Sequence, residues 1–412
     1  MKKFLVCCLV ASGAWVQPVE AQDITVNIEN EVVQRYLSEV EYTREMESEV
    51  TKYVVDPPQR CDIPNPAVIA VPEVDADTVV VVWSKQSDLT DGWCQGVGKG
   101  SREALIYNLV PQQKYYYQVL AEDSVVAAGN INPQGQLRMI YAPSIRNIRD
   151  LGGWVNNEGR QIKYEKLYRG RELNGQNIAD SVDIATLREL GIEAEIDMRY
   201  DGENDGAGIS AFGFLSSAEV GSGEQPTYLF TDNSGCCEEK HLTLYYWRQR
   251  YRQEFEFMAN SLREGRPVYF HCIWGADRTG MLAILLEGML GISYSDMVKD
   301  LELTSFSDKI ITKGNREFIF DYFDRLTGTT LQEKIRYYLT NMVGVNRTVL
   351  DYLYEELLEK GTTVGIDEVS GTDGTVHAGT YNLHGQRLSN AQQKGLQIVV
   401  DETGHSRKTV QR

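Results

Sequence analysis

Residues 266–290 read RPVYFHCIWGADRTGMLAILLEGML. The short apolar run ending at Phe270 suits a buried strand, and the longer apolar run from Met281 suits a helix. Between them, the residues from Cys272 to Thr279 must form a tight loop. Successive backbone N–H groups in such a loop can point inward, and the following helix N-terminus adds partial positive charge, which together make an anion cradle. Arg278 adds a planar fork of donors matched to phosphate oxygens. A free thiol's pKa of about 8.5 falls to roughly 3.5–7.5 in comparable electropositive settings, so Cys272 is placed to be a thiolate. The chemistry expected of this pattern is attack on phosphorus, a cysteinyl-phosphate intermediate and its hydrolysis. The alternative is an ordinary buried cysteine, which has no need of Arg278, Thr279 and the glycines in register.

Outward from this stretch, helical and strand patterns alternate. IATLRELG (184–191) leads into the strand pattern IEAEIDMRY (192–200), and the amphipathic LTLYYWRQRYRQEFEFMANSLREG (242–265) leads into Val268–Phe270. Such alternation predicts an α/β domain with a mainly parallel sheet flanked by helices, over 141–361. Further helices are expected in 296–307, 315–326, 330–342 and 346–360. Residues 56–140 differ: AVIAVPEV, TVVVVWSK, EALIYNL, KYYYQVLA and VVAAGNI are short β-rich runs separated by turn signals, as in a β-sandwich. Residues 22–55 read as a leader or short helix, and 362–412, rich in Gly and Thr at its start, as a small β tail.

The stretch from His271 to Gly280 resembles the HCxxGxDRTG signature of bacterial tyrosine, dual-specificity and phosphoinositide phosphatases. NIRDLGGWVNNEGRQIKYEKLYRGREL (147–173) and GIEAEIDMRYDGEND (191–205) are similar to the blocks that precede it in that superfamily. The resemblance covers roughly 141–358. It implies a protein tyrosine phosphatase-like fold with Cys272 as nucleophile and Arg278 as phosphate clamp. Thr279 would stabilise the departing thiolate and His271 would orient the loop. Ile273, Trp274, Gly275, Ala276, Asp277 and Arg278 would form the phosphate cradle. Asp277 is the favoured general acid, with Asp201, Asp205 and Asp232 as loop alternatives. Many members carry lysine where this chain has Ala276, which favours singly phosphorylated substrates over polyphosphorylated inositides. An inositol-phosphate phosphatase and a non-catalytic phosphate-binding adaptor are the other readings. Asp150, Arg149 and Arg171 are either ion pairs or phosphate-site residues, and Asp197 with Arg199 is expected to organise loops. The order of Leu109, Pro111 and Tyr115–Val119 resembles fibronectin type III modules, and the C-terminal tail resembles those of exported Bacteroidetes proteins.

The formal charge of −18 argues against nucleic acid or an anionic membrane as the main partner; the partner expected is a phosphorylated protein, small molecule or lipid. Residues 1–21 fit a signal peptide, with Val19-Glu20-Ala21 ahead of the cleavage point, so export to the periplasm, cell surface or medium is expected, with no later transmembrane segment. Five cysteines remain after its removal. Cys61 and Cys94 fall in the β region and are candidates to pair; Cys236 and Cys237 are either loop thiols or a vicinal disulfide. His241, His377, His384 and His405 have no metal-ligand spacing, GVGKG (96–100) is too sparse for a nucleotide loop, and neither metal nor organic cofactor is expected.

Overall fold

In the computed structural model the described residues are 21–54, 60–175, 179–200, 203, 227–235, 238–307, 309–360, 379–381, 395–400 and 406–411. The signal-peptide segment, Asp201, Asp205, Cys236 and Cys237 lie outside them. The chain divides into two compact units at residues 360 and 361.

The first unit opens with β1 (Ala21–Asn27) and α1 (Glu31–Glu39). Asn30 caps α1 by accepting from the Val33 N–H at 3.0 Å. The β-rich stretch follows as β2 (Ala67–Ala70), β3 (Val79–Ser84), β4 (Trp93–Val97), β5 (Glu103–Ile106), β6 (Tyr115–Ala121) and β7 (Ser124–Gln134). One sheet has the order β1-β7-β6-β3-β4, and β2 pairs with β5 in another. Along β6 every second residue is buried, which puts Tyr115, Tyr117 and Val119 on the face shared with Ile69 and Ile106 of the two-stranded sheet.

The α/β part contains β8 (Arg149–Asp150), β9 (Leu167–Gly170), α2 (Ser181–Glu189), β10 (Ala194–Asp197), β11 (Thr227–Phe230), α3 (Lys240–Thr243), α4 (Tyr245–Arg263) and β12 (Val268–His271). It continues with α5 (Asp277–Leu290), α6 (Tyr294–Glu302), α7 (Glu317–Asp324), α8 (Leu331–Tyr337) and α9 (Arg347–Leu357). Its sheet runs β11-β10-β12-β9-β8; the first four are parallel and β8 is antiparallel at the edge. Central β12 is fully buried, and so is α5 from Arg278 to Leu290. A helix apolar on all sides can be stable only inside a core. Truncating Leu282, Leu285 or Leu286, each fully buried, to alanine costs about 2–5 kcal/mol.

The segment 22–55, read as a leader or short helix, contains the short helix α1. Its first residues form β1, parallel to β7, and the rest packs against the α/β core. Val33, Tyr36, Val40, Tyr42, Val50 and Val54 share one buried cluster with Phe306, Phe320 and the apolar residues of α5. The hydroxyl of Tyr36 donates to Glu302 at 3.1 Å, and that of Tyr42 donates to the same carboxylate.

This arrangement also overturns a Cys61–Cys94 disulfide: both are free thiols. The Cys61 N–H donates to the Phe306 carbonyl at 2.6 Å, which fixes it on the α/β core, whereas Cys94 is exposed on the edge strand β4. In the second unit, β13 (Gly379–Tyr381), β14 (Gly395–Val400) and β15 (Ser406–Gln411) form an antiparallel sheet in that order. His377, His384 and His405 lie outside the described residues.

Candidate active site

Parallel strands in register bring Gly170, Asp197 and His271 side by side at the carboxyl ends of β9, β10 and β12. Open α/β sheets bind ligands at that edge. Cys272 lies one residue beyond β12, 2 % exposed, and the loop from it enters α5.

The carbonyls of this loop are all tied outward. Cys272 O accepts from His271 Nδ1 at 3.1 Å, and Ile273 O accepts from the Glu172 N–H at 3.1 Å. Trp274 O accepts from Asn147 Nδ2 at 2.9 Å, and Gly275 O accepts from Arg169 Nη2 at 3.0 Å. In a trans peptide the N–H points opposite its carbonyl. The N–H groups of Ile273, Trp274, Gly275 and Ala276 are therefore turned to the inside of the loop, where an anion would sit. Gly275 makes the bend at φ +67°, and a Cβ there would fall 2.4 Å from the Gly170 carbonyl oxygen. Asn147 and Arg169 are held in turn: Arg149 donates to Asn147 Oδ1 at 2.6 Å and to Asp300 at 2.9 Å, and Arg169 also pairs with Asp300. Burial, then the nearby Arg149, lowers the Arg169 pKa to about 10.

Arg278 opens α5 and is 8 % exposed. Its Nη1 donates to Met198 O at 3.1 Å, Asn233 O at 3.1 Å and Glu203 Oε2 at 2.6 Å; its Nη2 donates to Glu203 Oε1 at 3.1 Å. These contacts fix the plane of the guanidinium beside the loop. Thr279 Oγ1 is buried with no hydrogen-bond partner among the described residues, which leaves a hydroxyl at the helix start able to donate to a neighbouring anion. Asp277 is held at the loop rim: both its oxygens accept from Lys309 Nζ, at 2.9 and 2.7 Å. Asp232, the described alternative acid, faces Arg250 at 3.4 Å; the adjacent Asn233 is the residue that reaches Arg278.

Behind the loop, His271, Glu195 and Asp197 are all fully buried. His271 Nε2 bonds Glu195 Oε1 at 2.8 Å. Burial pushes the His271 pKa down, but the Asp197 carboxylate and the Glu195 hydrogen bond outweigh it and hold the imidazole above its ordinary value. Potential ligand atoms of these three residues lie within 4.8 Å of one another. Arg199 spans both oxygens of Asp197 at 2.6–3.1 Å and also reaches Glu172 at 3.2 Å, so the cluster is part of an ion-paired network.

Asp150 pairs with Arg138 at 3.2 Å, so it and Arg149 are buried ion-pair members beneath the loop. Arg171 stacks over the Trp274 ring at 4.1 Å, and Trp274 is 39 % exposed at the loop's outer side. The sequence reading did not assign roles to Asn147, Arg169, Glu195, Glu203, Asn233 or Lys309. Asn147 and Arg169 lie inside the 147–173 block that carries the resemblance, so a signal existed for them. Glu195 and Glu203 likewise lie inside the 191–205 block, whereas Lys309 is a single charge in a loop and carried none.

The sequence matches the tyrosine phosphatase family over residues 140–364. A Cupriavidus necator protein described as a candidate tyrosine-protein phosphatase is 28 % identical over 164 residues, which cover 38 % of this chain and 59 % of that relative. Among solved structures, Pseudomonas aeruginosa TpbA in complex with phosphotyrosine has 16 % identity and a TM-score of 0.28, with 48 % of this chain and 98 % of that one covered. The human tyrosine phosphatase-like serine/threonine/tyrosine-interacting protein has 16 % identity and a TM-score of 0.26, with 38 % of this chain and 90 % of that one covered. With more than half of its residues matched, the chain belongs to the tyrosine phosphatase family.

Proposed function

We propose that the protein is an exported cysteine-dependent phosphatase acting on phosphate monoesters, foremost phosphotyrosine or mixed phosphoprotein substrates. The observation that carries this reading is the loop whose four carbonyls are tied outward around Cys272, with Arg278 at its end. The Cys272 thiolate forms a bond to phosphorus as the ester P–O bond breaks, and the leaving oxygen takes a proton from a carboxylic acid. Water then attacks phosphorus, the S–P bond breaks, and thiolate and inorganic phosphate are released. Inward amides and Arg278 stabilise the charge on the equatorial oxygens. Asp277 is our candidate acid; to carry the proton it must part from Lys309.

A second reading, an inositol-phosphate or phosphoinositide phosphatase, draws support from Lys309 and Arg171, two cations beside the loop in addition to Arg278. The export assignment rests on residues 1–21. Among the described residues no helix is long and apolar enough to cross a membrane. We further propose that the β-rich part is a sandwich of fibronectin type III kind, completed by β1, and that 362–412 is a separate β tail.

The test is phosphate release by residues 22–412 in reductant and chelator from phosphotyrosine peptide, phosphoserine peptide, phosphoinositide and inositol hexakisphosphate, beside Cys272→Ser. Chelator-resistant turnover that the variant lacks is expected, and the preferred substrate decides between the two phosphatase readings. Binding of phosphate analogues without release from any substrate would replace both with a phosphate-binding adaptor.

A further inference from the structure

The buried group beneath Cys272 carries more charge than the loop chemistry alone requires. His271 Nδ1 faces the Cys272 carbonyl oxygen at 3.1 Å, an atom that can only accept. Its Nε2 faces a Glu195 carboxylate oxygen at 2.8 Å. If Glu195 is ionised, both ring nitrogens must donate, and a ring that donates from both nitrogens is an imidazolium.

Three carboxylates meet here: Glu195 and Asp197 from β10, and Glu172 beyond β9. Arg199 lies against Asp197 and Glu172, and the Tyr228 hydroxyl of β11 donates to Asp197 at 3.1 Å. Tyr269 of β12 stacks on the ring with 5.5 Å between centroids. A charged His271 sets a cation against the Glu195 carboxylate at 2.8 Å, and a buried carboxylate that faces a cation costs far less than an unpaired one.

We propose that Glu195 is a positioning residue that keeps His271 doubly protonated beneath Cys272, so that the fixed positive charge favouring the thiolate belongs to the His271–Glu195 pair. The raised pKa of His271, in spite of complete burial, agrees with this. The described side-chain contact of Glu195 is with the ring, and it acts through that ring. The inference rests on Cys272 being the nucleophile, but its readouts do not depend on turnover.

The experiment compares full-length protein with Glu195→Gln, which retains hydrogen bonding to the ring and removes the charge. Nitrogen-15 spectra of histidine-labelled protein, with the His271 signals assigned by their loss in His271→Asn, report the protonation of each ring nitrogen. Wild type is expected to show both protonated at about pH 7.5 and the variant only one. Iodoacetamide alkylation of Cys272 at about pH 6 is expected to fall about tenfold in the variant, because the thiolate is the form that reacts. A singly protonated His271 in wild type overturns the proposal, even if the variant does not fold. An unchanged alkylation rate in a folded variant overturns it as well. An alkylation change without any wild-type phosphate release would support the pairing while removing the phosphatase reading.

Discussion

Glu254 of α4 is fully buried, and one of its oxygens accepts from Thr231 Oγ1 at 2.9 Å and Asn233 Nδ2 at 3.0 Å. Its other oxygen has no hydrogen-bond partner among the described residues. It therefore anchors the loop whose Asn233 carbonyl accepts from Arg278. Burial raises its pKa to about 7, from an ordinary 4.5. Below the ordinary value the folded and unfolded chains both hold the proton, and the contribution to stability is fully present. As pH rises toward 7 the unfolded chain releases its proton first, so stability falls until the folded form ionises too. The gap corresponds to about 3 kcal/mol, at ~1.36 kcal/mol per pH unit. Glutamine in place of Glu254 keeps the acceptor and cannot ionise. The difference in unfolding free energy between Glu254→Gln and wild type should be near zero at about pH 4.5 and reach about 3 kcal/mol in the variant's favour at about pH 8.5. Urea unfolding followed by tryptophan fluorescence across that range measures it. A difference that stays flat with pH, or that grows toward acid, refutes the reasoning.

Two further outcomes are expected. Gly275→Ala forces a non-glycine residue to φ +67° with its Cβ 2.4 Å from the Gly170 oxygen; strain and overpacking together of about 2–5 kcal/mol should cut turnover roughly a hundredfold or more while circular dichroism stays native, and wild-type turnover would contradict the loop geometry. Asp62→Ala removes the acceptor of the buried Asn147 N–H, 3.0 Å away, so thermal unfolding should show a loss of about 1–3 kcal/mol; an unchanged melting temperature would mean that Asp62 does not brace Asn147.

The strand–loop–helix at 268–290 was legible because a short apolar run, a glycine-bearing loop and a long apolar run each have a local physical meaning. For the same reason helices at 245–263 and 347–357 lie where their periodicity predicts them. Strands β1, β4 and β11 were not foreseen. Thr227–Phe230 is only half-buried along its length, and Trp93–Val97 is exposed at its three central residues on a sheet edge, so neither shows the burial pattern of a core strand. Cys61 and Cys94 are near in sequence pattern yet belong to different surfaces, because the Cys61 backbone is bonded to Phe306 of the α/β core.

By itself the sequence determined the strand–loop–helix around Cys272, the parallel α/β character and the order of the blocks, since these depend on residues close to one another along the chain. What only the tertiary structure decided is the support of the loop. Asn147, Arg169 and Glu172 come from segments roughly 100 residues or more before the carbonyls they hold, and Glu195 meets His271 across 76 residues. Such pairings are set by strand register and by the cost of burying an unpaired charge, neither of which leaves a periodic trace in the chain.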